Sequence, residues 1–255
     1  MFNRRELLEL VLAGVLVPND YLVRRPRVEA LWKSPDAYPN ALEATDDGLW
    51  VGEQLTNIAY LLDWKTGKVL WKVPTESTNT SGMAYGSGFL WMAANGPALR
   101  REPRLSDSKT GMVLKVDPQR GQTLARYPIP GGGGVHGLTW AENSLWITTL
   151  GRKSLTQVDA GFKELHSIPV TLGRAHGLAW AWDTIWCMFS NDRVIHRLDA
   201  KDGQILEAIQ LGSSDPDPHG MTLHKGIFYY TDAGISPGGG DNGSRHAGYI
   251  CRLHL

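Results

Sequence analysis

The sixteen residues "GGGGVHGLTWAENSLW", from Gly131 to Trp146, contain the pattern that decides the fold. His136 is followed nine residues later by the apolar-aromatic pair Leu145-Trp146, and the turn-like "AENS" lies between them. Such a segment predicts a short strand, a turn and a second strand. The same nine-residue step occurs five times, and we call the residue that begins each copy its anchor. The five anchors are Asn40, Ser81, His136, His176 and His219.

Each copy continues into a second hairpin. In three copies an aspartate lies twenty-three residues after the anchor and leads into a turn such as "DWKTGK" or "DAKDGQ". Four short antiparallel strands per unit of about forty residues are typical of a β-propeller blade. The sequence therefore predicts an all-β fold, a five-bladed β-propeller with blades that start near residues 41, 82, 137, 177 and 220.

The two ends of the chain predict how the ring closes. The fifth copy lacks its fourth strand, and "RVEALWK" at residues 27–33 is similar to the fourth strand "KVLWKV" of the first copy. An N-terminal strand that completes the last blade would remove a free sheet edge. We therefore expect a short N-terminal helix or arm at residues 1–26 and a single propeller domain at residues 27–255.

The composition excludes several classes of partner. The chain has 26 lysines and arginines and 26 aspartates and glutamates. It therefore has no excess of positive charge of the kind that would indicate a nucleic-acid partner. No apolar stretch is long enough to span a membrane. The two cysteines, Cys187 and Cys251, are far apart and form no metal or redox motif. A small-molecule substrate is the partner that we expect.

The N-terminal stretch "NRRELLELVLAGVLVP" allows two interpretations. A twin arginine before a short apolar run is similar to a degenerate export signal, but Glu6 and Glu9 depart from that pattern. The alternative is a short amphipathic helix that covers a hydrophobic surface or makes a homo-oligomer contact. We favour the helix and therefore expect a cytoplasmic protein.

The anchors are the first candidate site. Blade geometry places them at the start of the innermost strands, beside the axis, so His136, His176 and His219 are predicted to converge there with Asn40 and Ser81. Three neutral imidazoles suit a divalent metal ion, with iron, zinc, manganese, nickel, copper, cobalt and magnesium as candidates. The competing interpretation is that blade duplication has spread a histidine that only braces neighbouring loops.

Acids at the ends of the second strands are candidates for proton transfer. Thirteen residues after the anchors lie Glu53, Ala94, Thr149, Phe189 and Asp232. Glu53 and Asp232 are predicted to be catalytic, as a general base, a metal ligand or an orienting partner of a ligand. Thr149 is a substrate-contact candidate at the same position of blade 3.

Two enlarged loops are predicted on the same face. The first, "NGPALRREPRLSDSK", carries Arg100, Arg101 and Arg104, and these are candidates to meet an anionic substrate. The second, "DAGISPGGGDNGSRHAG", carries Arg245, which is also a candidate to meet an anionic substrate, and His246, which is a candidate to cap the site. Long loops above an axial site usually shape substrate access. A solvated charged loop is the alternative for both.

Two conspicuous features are predicted to be structural. The glycines at residues 131–134 lead into a strand and not into a helix, so the physical basis of a phosphate-binding loop is absent. The tryptophans of the apolar-aromatic pairs share one strand position, which indicates packing between blades.

The run "GLxxxxxxLWxxxxxxxxIxxLDxxTGxVL" resembles blades of the virginiamycin B lyase-like propellers and, more distantly, of quinoprotein-like and gluconolactonase-like propellers. The resemblance covers residues 41–255. Virginiamycin B lyase opens a cyclic ester by metal-assisted elimination, with histidines and a glutamate around the axis. The resemblance thus implies such positions for His136, His176 and His219, with Glu53 as the acid. That lyase has seven blades, whereas five are predicted here.

Three functions follow as hypotheses. The first is a metal-dependent lyase or hydrolase with a three-histidine centre that acts on a small organic molecule. The second is a non-haem iron oxygenase that uses the same histidines. The third is a non-catalytic propeller that binds a ligand or a protein. A glycosidase is a weaker alternative, because it requires acidic residues clustered at the axis.

Overall fold

The computed structural model describes residues 21–236 and 239–255, and this part of the chain contains 21 β-strands and no helix. The short N-terminal helix or arm was predicted for residues 1–26, and residues 1–20 lie outside the described ones. Two strands precede the first blade, β1 (Leu22–Arg24) and β2 (Arg27–Lys33). Within the described ranges, no helix could cross a membrane.

Five sheets form the propeller, and the predicted fold is confirmed. Blade 1 contains β3 (Pro39–Thr45), β4 (Gly48–Glu53), β5 (Ile58–Leu62) and β6 (Val69–Pro74). Blade 2 contains β7 (Thr80–Gly86), β8 (Phe89–Asn95), β9 (Gly111–Val116) and β10 (Thr123–Pro128). Blade 3 contains β11 (Leu138–Ala141), β12 (Ser144–Thr149), β13 (Ser154–Asp159) and β14 (Glu164–Pro169). Blade 4 contains β15 (Ala175–Ala181), β16 (Thr184–Phe189), β17 (Val194–Asp199) and β18 (Ile205–Gln210). Blade 5 contains β19 (Met221–His224), β20 (Ile227–Thr231) and β21 (Tyr249–His254), together with β2.

The predicted closure is also present. Strand β2 pairs antiparallel with β21, so that Val28 lies opposite Leu253 and Lys33 opposite Tyr249. The inner strands contact one another in the order β3, β7, β11, β15 and β19, and β19 contacts β3 again. The N-terminal strand therefore completes the last blade of a closed ring.

The core consists of five apolar layers, each between two neighbouring blades. The layer between blades 2 and 3 contains Trp91 and Ile147, and the layer between blades 4 and 5 contains Trp186 and Phe228. The second strands are buried along their whole length in blades 1, 3 and 4, because both of their faces meet neighbouring blades. The tryptophans of the apolar-aromatic pairs thus pack between blades, as predicted.

The predicted aspartate turns join the third and fourth strands. In blade 1, Asp63 accepts hydrogen bonds from the backbone N–H groups of Thr66 at 2.8 Å and Lys65 at 3.2 Å. A short acidic side chain that bonds to the backbone two or three residues ahead stabilises such a turn. Equivalent bonds are made by Asp117, Asp159 and Asp199.

Blade 4 has a fifth strand that the sequence pattern did not indicate. Strand β1 pairs in parallel with the outer strand β18, with Leu22 opposite Glu207 and Arg24 opposite Ile209. An ion pair between Arg24 and Glu207 accompanies this pairing. The segment from residue 21 therefore crosses from the edge of blade 4 to that of blade 5.

Candidate functional site

The glycine that follows most anchors allows the inner strands to approach one another closely. A Cβ atom on Gly82 would lie 1.8 Å from the carbonyl oxygen of His136, and one on Gly177 would lie 2.8 Å from that of His219. Gly220 has the same relation to Asn40, at 2.8 Å. No real Cβ atom tolerates such distances to backbone atoms. The repeated His-Gly pair therefore places each anchor beside the next one around the axis.

The structure brings the three anchor histidines side by side, with His176 between His136 and His219. The ring centroids of His136 and His176 are 4.5 Å apart, and those of His176 and His219 are 5.0 Å apart. His176 and His219 are each only 1% exposed. The three rings thus form one continuous row at the inner ends of blades 3, 4 and 5.

The row borders a cavity of about 280 Å³, which we call the axial cavity. Most of the residues that line it are polar, and its three asparagines belong to blades 1 and 2 or to the segment between them. Leu99, Ile235, Ser236 and Gly239 of the two long loops also line it. The remaining lining residues are Asn40, Gln54, Asn79, Ser81, Asn95, His136, Arg174, His176 and His219.

His219 is fixed by two hydrogen bonds. Its Nδ1 lies 3.0 Å from Oδ1 of Asn40, and its Nε2 lies 3.1 Å from Oδ2 of Asp217. The Asn40 amide is oriented by its Nδ2, which donates to the carbonyl of Thr80 at 3.1 Å. Both ring nitrogens of His219 therefore face oxygen atoms, and the two contacts fix the orientation of the ring.

Asp217 is held as a carboxylate by several donors. It accepts from His219, from Asn242 at 3.3 Å and from Arg193 at 3.2 Å. Burial opposes its ionisation, but the hydrogen bonds from His219 and Asn242 and the charges of His219 and Arg193 outweigh burial and lower its pKa. The arrangement fixes the orientation of the His219 ring.

His136 and His176 have a different environment. The Nδ1 atom of each ring is buried and makes no hydrogen bond within the described part of the chain. Burial, with the charges of Arg174 and His219, lowers the pKa of His136 to about 3, and burial with neighbouring positive charge also lowers that of His176. Both rings are therefore neutral at pH 7.

Arg174 lies two residues before His176 and lines the axial cavity. Within residues 21–236 and 239–255, its guanidinium makes no ion pair or hydrogen bond. Burial lowers its pKa, and the charge of Asp217 offsets this only in part. A partly buried guanidinium without a carboxylate partner gives the cavity a positive potential.

A divalent metal fits this donor set only in part. His136 and His176 are neutral and have unpaired nitrogens, as a metal ligand requires. His219 does not fit, because both of its nitrogens are engaged with Asn40 and Asp217, and Arg174 adds repulsion for a cation. In residues 21–236 and 239–255, no three histidine, cysteine or acidic side chains are arranged to hold a metal ion.

Glu53 and Asp232 lie at the ends of their second strands, as predicted, but both are fully buried and neither lines the axial cavity. Glu53 accepts hydrogen bonds from Ser34 and from the backbone N–H of Tyr38. Burial raises its pKa to about 7. Asp232 accepts from the N–H of Asp217 at 2.9 Å and so braces the segment that carries His219.

The cavity is instead lined one residue further along. Gln54 and Asn95 lie fourteen residues after the anchors Asn40 and Ser81 and reach the cavity. Successive side chains in extended chain point to opposite sides, so a shift of one residue exchanges the buried and the cavity-facing sets. The thirteen-residue spacing therefore missed Gln54 and Asn95, the polar residues that follow Glu53 and Ala94.

Three predicted contact residues are separated by the structure. Asn40 and Ser81 line the axial cavity, where the Ser81 hydroxyl donates to the carbonyl of Asn79 at 3.0 Å. Thr149 lines a neighbouring cavity instead. Its hydroxyl is bonded to the Ser154 side chain at 2.7 Å.

Two of the three predicted arginines of the first long loop have structural partners. Arg100 donates to the carbonyl of Gly239 at 2.8 Å and to Asp241 at 2.9 Å, and thus joins the two long loops. Arg101 forms two hydrogen bonds of 2.7 Å with Asp107. The Arg104 side chain is exposed.

Arg245 and His246 line a polar cavity of about 470 Å³ beside the axial one. The His246 ring packs edge-on against Tyr249, with 6.0 Å between ring centroids. Neither residue borders the axial cavity, and Asp217 is the neighbour that connects this polar cavity to His219.

Arg174, Asn79 and Asp217 contribute to the site but were not predicted. Each lies two residues before an anchor, on the segment that leads into an inner strand. The alignment of the five copies therefore also contained this signal, because a polar residue lies two positions before the anchor in these three copies.

Comparison with known proteins agrees with the fold. No protein-family model matches the chain, and no curated protein matches it. The structure of Myxococcus xanthus glutaminyl cyclase is similar with a TM-score of 0.66 at 13% identity, covering 92% of this chain and 98% of that chain. A streptogramin B lyase is similar with a TM-score of 0.54 at 17% identity, covering 90% and 98%. Virginiamycin B lyase from Staphylococcus aureus gives 0.53 at 14% identity, covering 90% and 99%. The chain thus shares the β-propeller architecture of these proteins, and the resemblance inferred from the blade pattern is confirmed at that level.

Proposed function

We propose that the chain is an enzyme that acts on a small organic molecule in the axial cavity by proton transfer, as a lyase or a hydrolase. The observation that supports it is the row of three histidine rings, with centroid distances of 4.5 and 5.0 Å, at the wall of the axial cavity. A histidine in such a position is the commonest general acid or base.

The three rings would have different roles. His136 and His176 are neutral imidazoles and would accept a proton, either from a carbon next to a leaving group or from a water that attacks an ester. Bound negative charge near Arg174 would raise the proton affinity of both rings, because it offsets the guanidinium charge. His219 is a positioning residue, since Asn40 and Asp217 fix its ring against His176.

A metal-assisted reaction at the same histidines is the second candidate. It is favoured by the buried, unpaired Nδ1 atoms of His136 and His176, which are neutral and therefore able to bind a metal. The ion would supply Lewis-acid chemistry, or dioxygen chemistry if it were iron. A binding function without catalysis is the third.

The test is a turnover assay with a panel of esters, lactones and β-substituted carboxylates. His176→Ala is compared with wild type, and His166→Ala is the control, since His166 lies on the outer strand β14. We expect at least one substrate to be turned over, with a loss of about 100-fold or more in His176→Ala and little change in His166→Ala. Wild-type protein that turns over nothing, or equal rates in the three proteins, would refute the proposal.

Elemental analysis separates the first two candidates. Protein purified with chelators is reconstituted with zinc, manganese, nickel, copper, magnesium or anaerobic iron(II), and the bound metal is counted. Turnover by metal-free protein would support proton transfer by the histidines alone. One ion per chain that is lost in His176→Ala and needed for turnover would establish the metal-assisted reaction, and a need for oxygen with iron(II) would establish an oxygenase.

A further inference from the structure

Arg174 lies between two cavities. On one side is the axial cavity with the histidines, and on the other is a cavity of about 260 Å³ formed by the β12–β13 turn and by the segment before β15. Besides Arg174, the second cavity is lined by Leu150, Lys153, Val170 and Leu172, among others. We call it the side cavity. A ligand held at Arg174 would therefore reach the histidines and the side cavity together.

The guanidinium is available for a ligand on the axial side. Asp217 is the acid whose charge acts on Arg174, but it lies beyond ion-pair distance and is bonded to His219, Arg193 and Asn242. Its charge is thus shared among other donors. A planar guanidinium with free N–H groups binds carboxylates and phosphates in a two-pronged manner.

The side cavity has a different character. The side chains of Leu150, Val170 and Leu172 make much of its wall apolar, and Lys153 adds a second cation at its border. A volume of about 260 Å³ accommodates roughly eight groups of the size of a water molecule. Its shape and chemistry suit a short aliphatic chain or a small ring.

We propose that Arg174 binds the anionic group of the substrate, and that the side cavity receives an apolar part of the same molecule. The substrate class is therefore a small organic anion with a short aliphatic chain or ring. This inference rests on the proposed function, since it concerns the substrate of the same histidines. Arg174 is a specificity-determining residue that acts through its charge.

The test uses four probes and isothermal titration calorimetry: hexanoate, acetate, 1-hexanol and hexylammonium. We expect hexanoate to bind at least tenfold more tightly than acetate, because its chain adds buried CH₂ groups. 1-Hexanol and hexylammonium should bind at least tenfold more weakly than hexanoate, because they lack the negative charge. Equal affinity for hexanoate and hexylammonium, or no binding of hexanoate, would overturn the proposal.

Variants assign the binding to this place. Arg174→Met keeps the length of the side chain and removes its charge, and should weaken hexanoate at least tenfold. Val170→Thr adds a hydroxyl to the side cavity at similar side-chain size. It should weaken the binding of hexanoate and leave the affinity for acetate unchanged. Arg120→Met, in an exposed turn, is the matched control. Circular dichroism checks that each variant is folded, and unchanged hexanoate affinity in folded Arg174→Met would refute the assignment.

These titrations require no turnover, so the two proposals fail separately. Hexanoate that binds through Arg174, with no loss of turnover in His176→Ala, would refute the histidine chemistry alone. Turnover that depends on His176, with hexanoate bound no better than 1-hexanol, would refute the substrate class alone.

Discussion

The carbonyl oxygen of His176 occupies the place where residue 137 would carry a Cβ atom: on Gly137 that atom would lie 1.8 Å from the oxygen. The clash is with backbone and cannot be relieved by a rotamer change. Because Gly137 has no side chain, blades 3 and 4 can lie this close together. The same close approach brings the rings of His136 and His176 into contact.

Gly137→Ala should therefore destabilise the protein strongly. We expect the free energy of unfolding to fall by about 3 kcal/mol or more, because the inner strands must separate. Gly173→Ala is the control, since a Cβ there would meet no atom within 4 Å, and it should change the free energy by less than about 0.5 kcal/mol or stabilise slightly. Urea unfolding followed by tryptophan fluorescence measures both, and equal stability of the two variants would contradict this account.

Much of the fold could be predicted because it depends on local patterns that repeat. The nine-residue step and the aspartate turns are short-range features, and the five copies of the step predicted the number of blades and the positions of His136, His176 and His219. The strand β1 was missed, because three residues without a repeat partner have no pattern to identify them.

The site was predicted less completely because its remaining residues depend on side-chain direction and loop paths. The spacing selected Glu53, whereas the axial cavity is lined by Gln54, one residue further along the extended chain. Arg100 was predicted to meet substrate, but the loop path brings it to Asp241. The spacing of residues in the sequence does not show which way a side chain at the end of a strand points. It also does not show whether two distant loops meet.

Stability should fall as the pH rises, because folding encloses the carboxyl of Glu43 between inner strands of the propeller. Glu43 in β3 accepts a hydrogen bond from the N–H of Tyr85 in β7 at 2.9 Å and is bonded to Thr222 in β19. Burial raises its pKa to about 8 from an ordinary value of 4.5, so between these values the folded chain keeps a proton that the unfolded chain has lost. Folding then takes up a proton, and stability is lost as the pH rises from 4.5 to about 8.

Glu43→Gln cannot ionise and should lose part of this pH dependence. We expect it to be more stable than wild type at pH 9 by about 2 kcal/mol, less than the full shift implies because Glu43 keeps some exposure. At pH 4.5 the two proteins should have similar stability. The measurement is urea unfolding across this range, with the exposed Glu102→Gln as the control. Parallel curves for wild type and Glu43→Gln would show that Glu43 does not titrate in this way.

Arg100→Met should release the contact between the two long loops without a large change in global stability. The Arg100–Asp241 pair is exposed, with side-chain accessibilities of 33% and 76%, and such pairs contribute at most about 1 kcal/mol. Hydrogen exchange should become faster in residues 239–248, whereas the unfolding midpoint should hardly move. Arg152→Met, which removes the surface pair with Glu164, should leave exchange in that loop unchanged. Unaltered exchange in Arg100→Met would mean that other contacts hold the loops.

Both cysteines should be unreactive in the folded protein. Cys187 and Cys251 are completely buried, and burial raises the pKa of each thiol, so the thiols are neither accessible to reagents nor ionised. A chromogenic disulfide reagent at pH 8 should release no colour from native protein and two equivalents after guanidinium is added. Leu105→Cys, at a fully exposed loop position, should react at once with one equivalent. Rapid reaction of the native wild type would indicate that the blades open locally.

The pairing of β2 with β21 also sets the order of events during synthesis. Arg27 to Lys33 are made before the first blade, whereas their partners Tyr249 to His254 are made after the other four blades. Until then β2 lacks its partner, and the face of blade 1 that meets Tyr229 and Ile250 is uncovered. The nascent chain must therefore hold an open arc of blades until β21 has been made, and the hydrogen bond between His219 of blade 5 and Asn40 of blade 1 forms only when that arc closes.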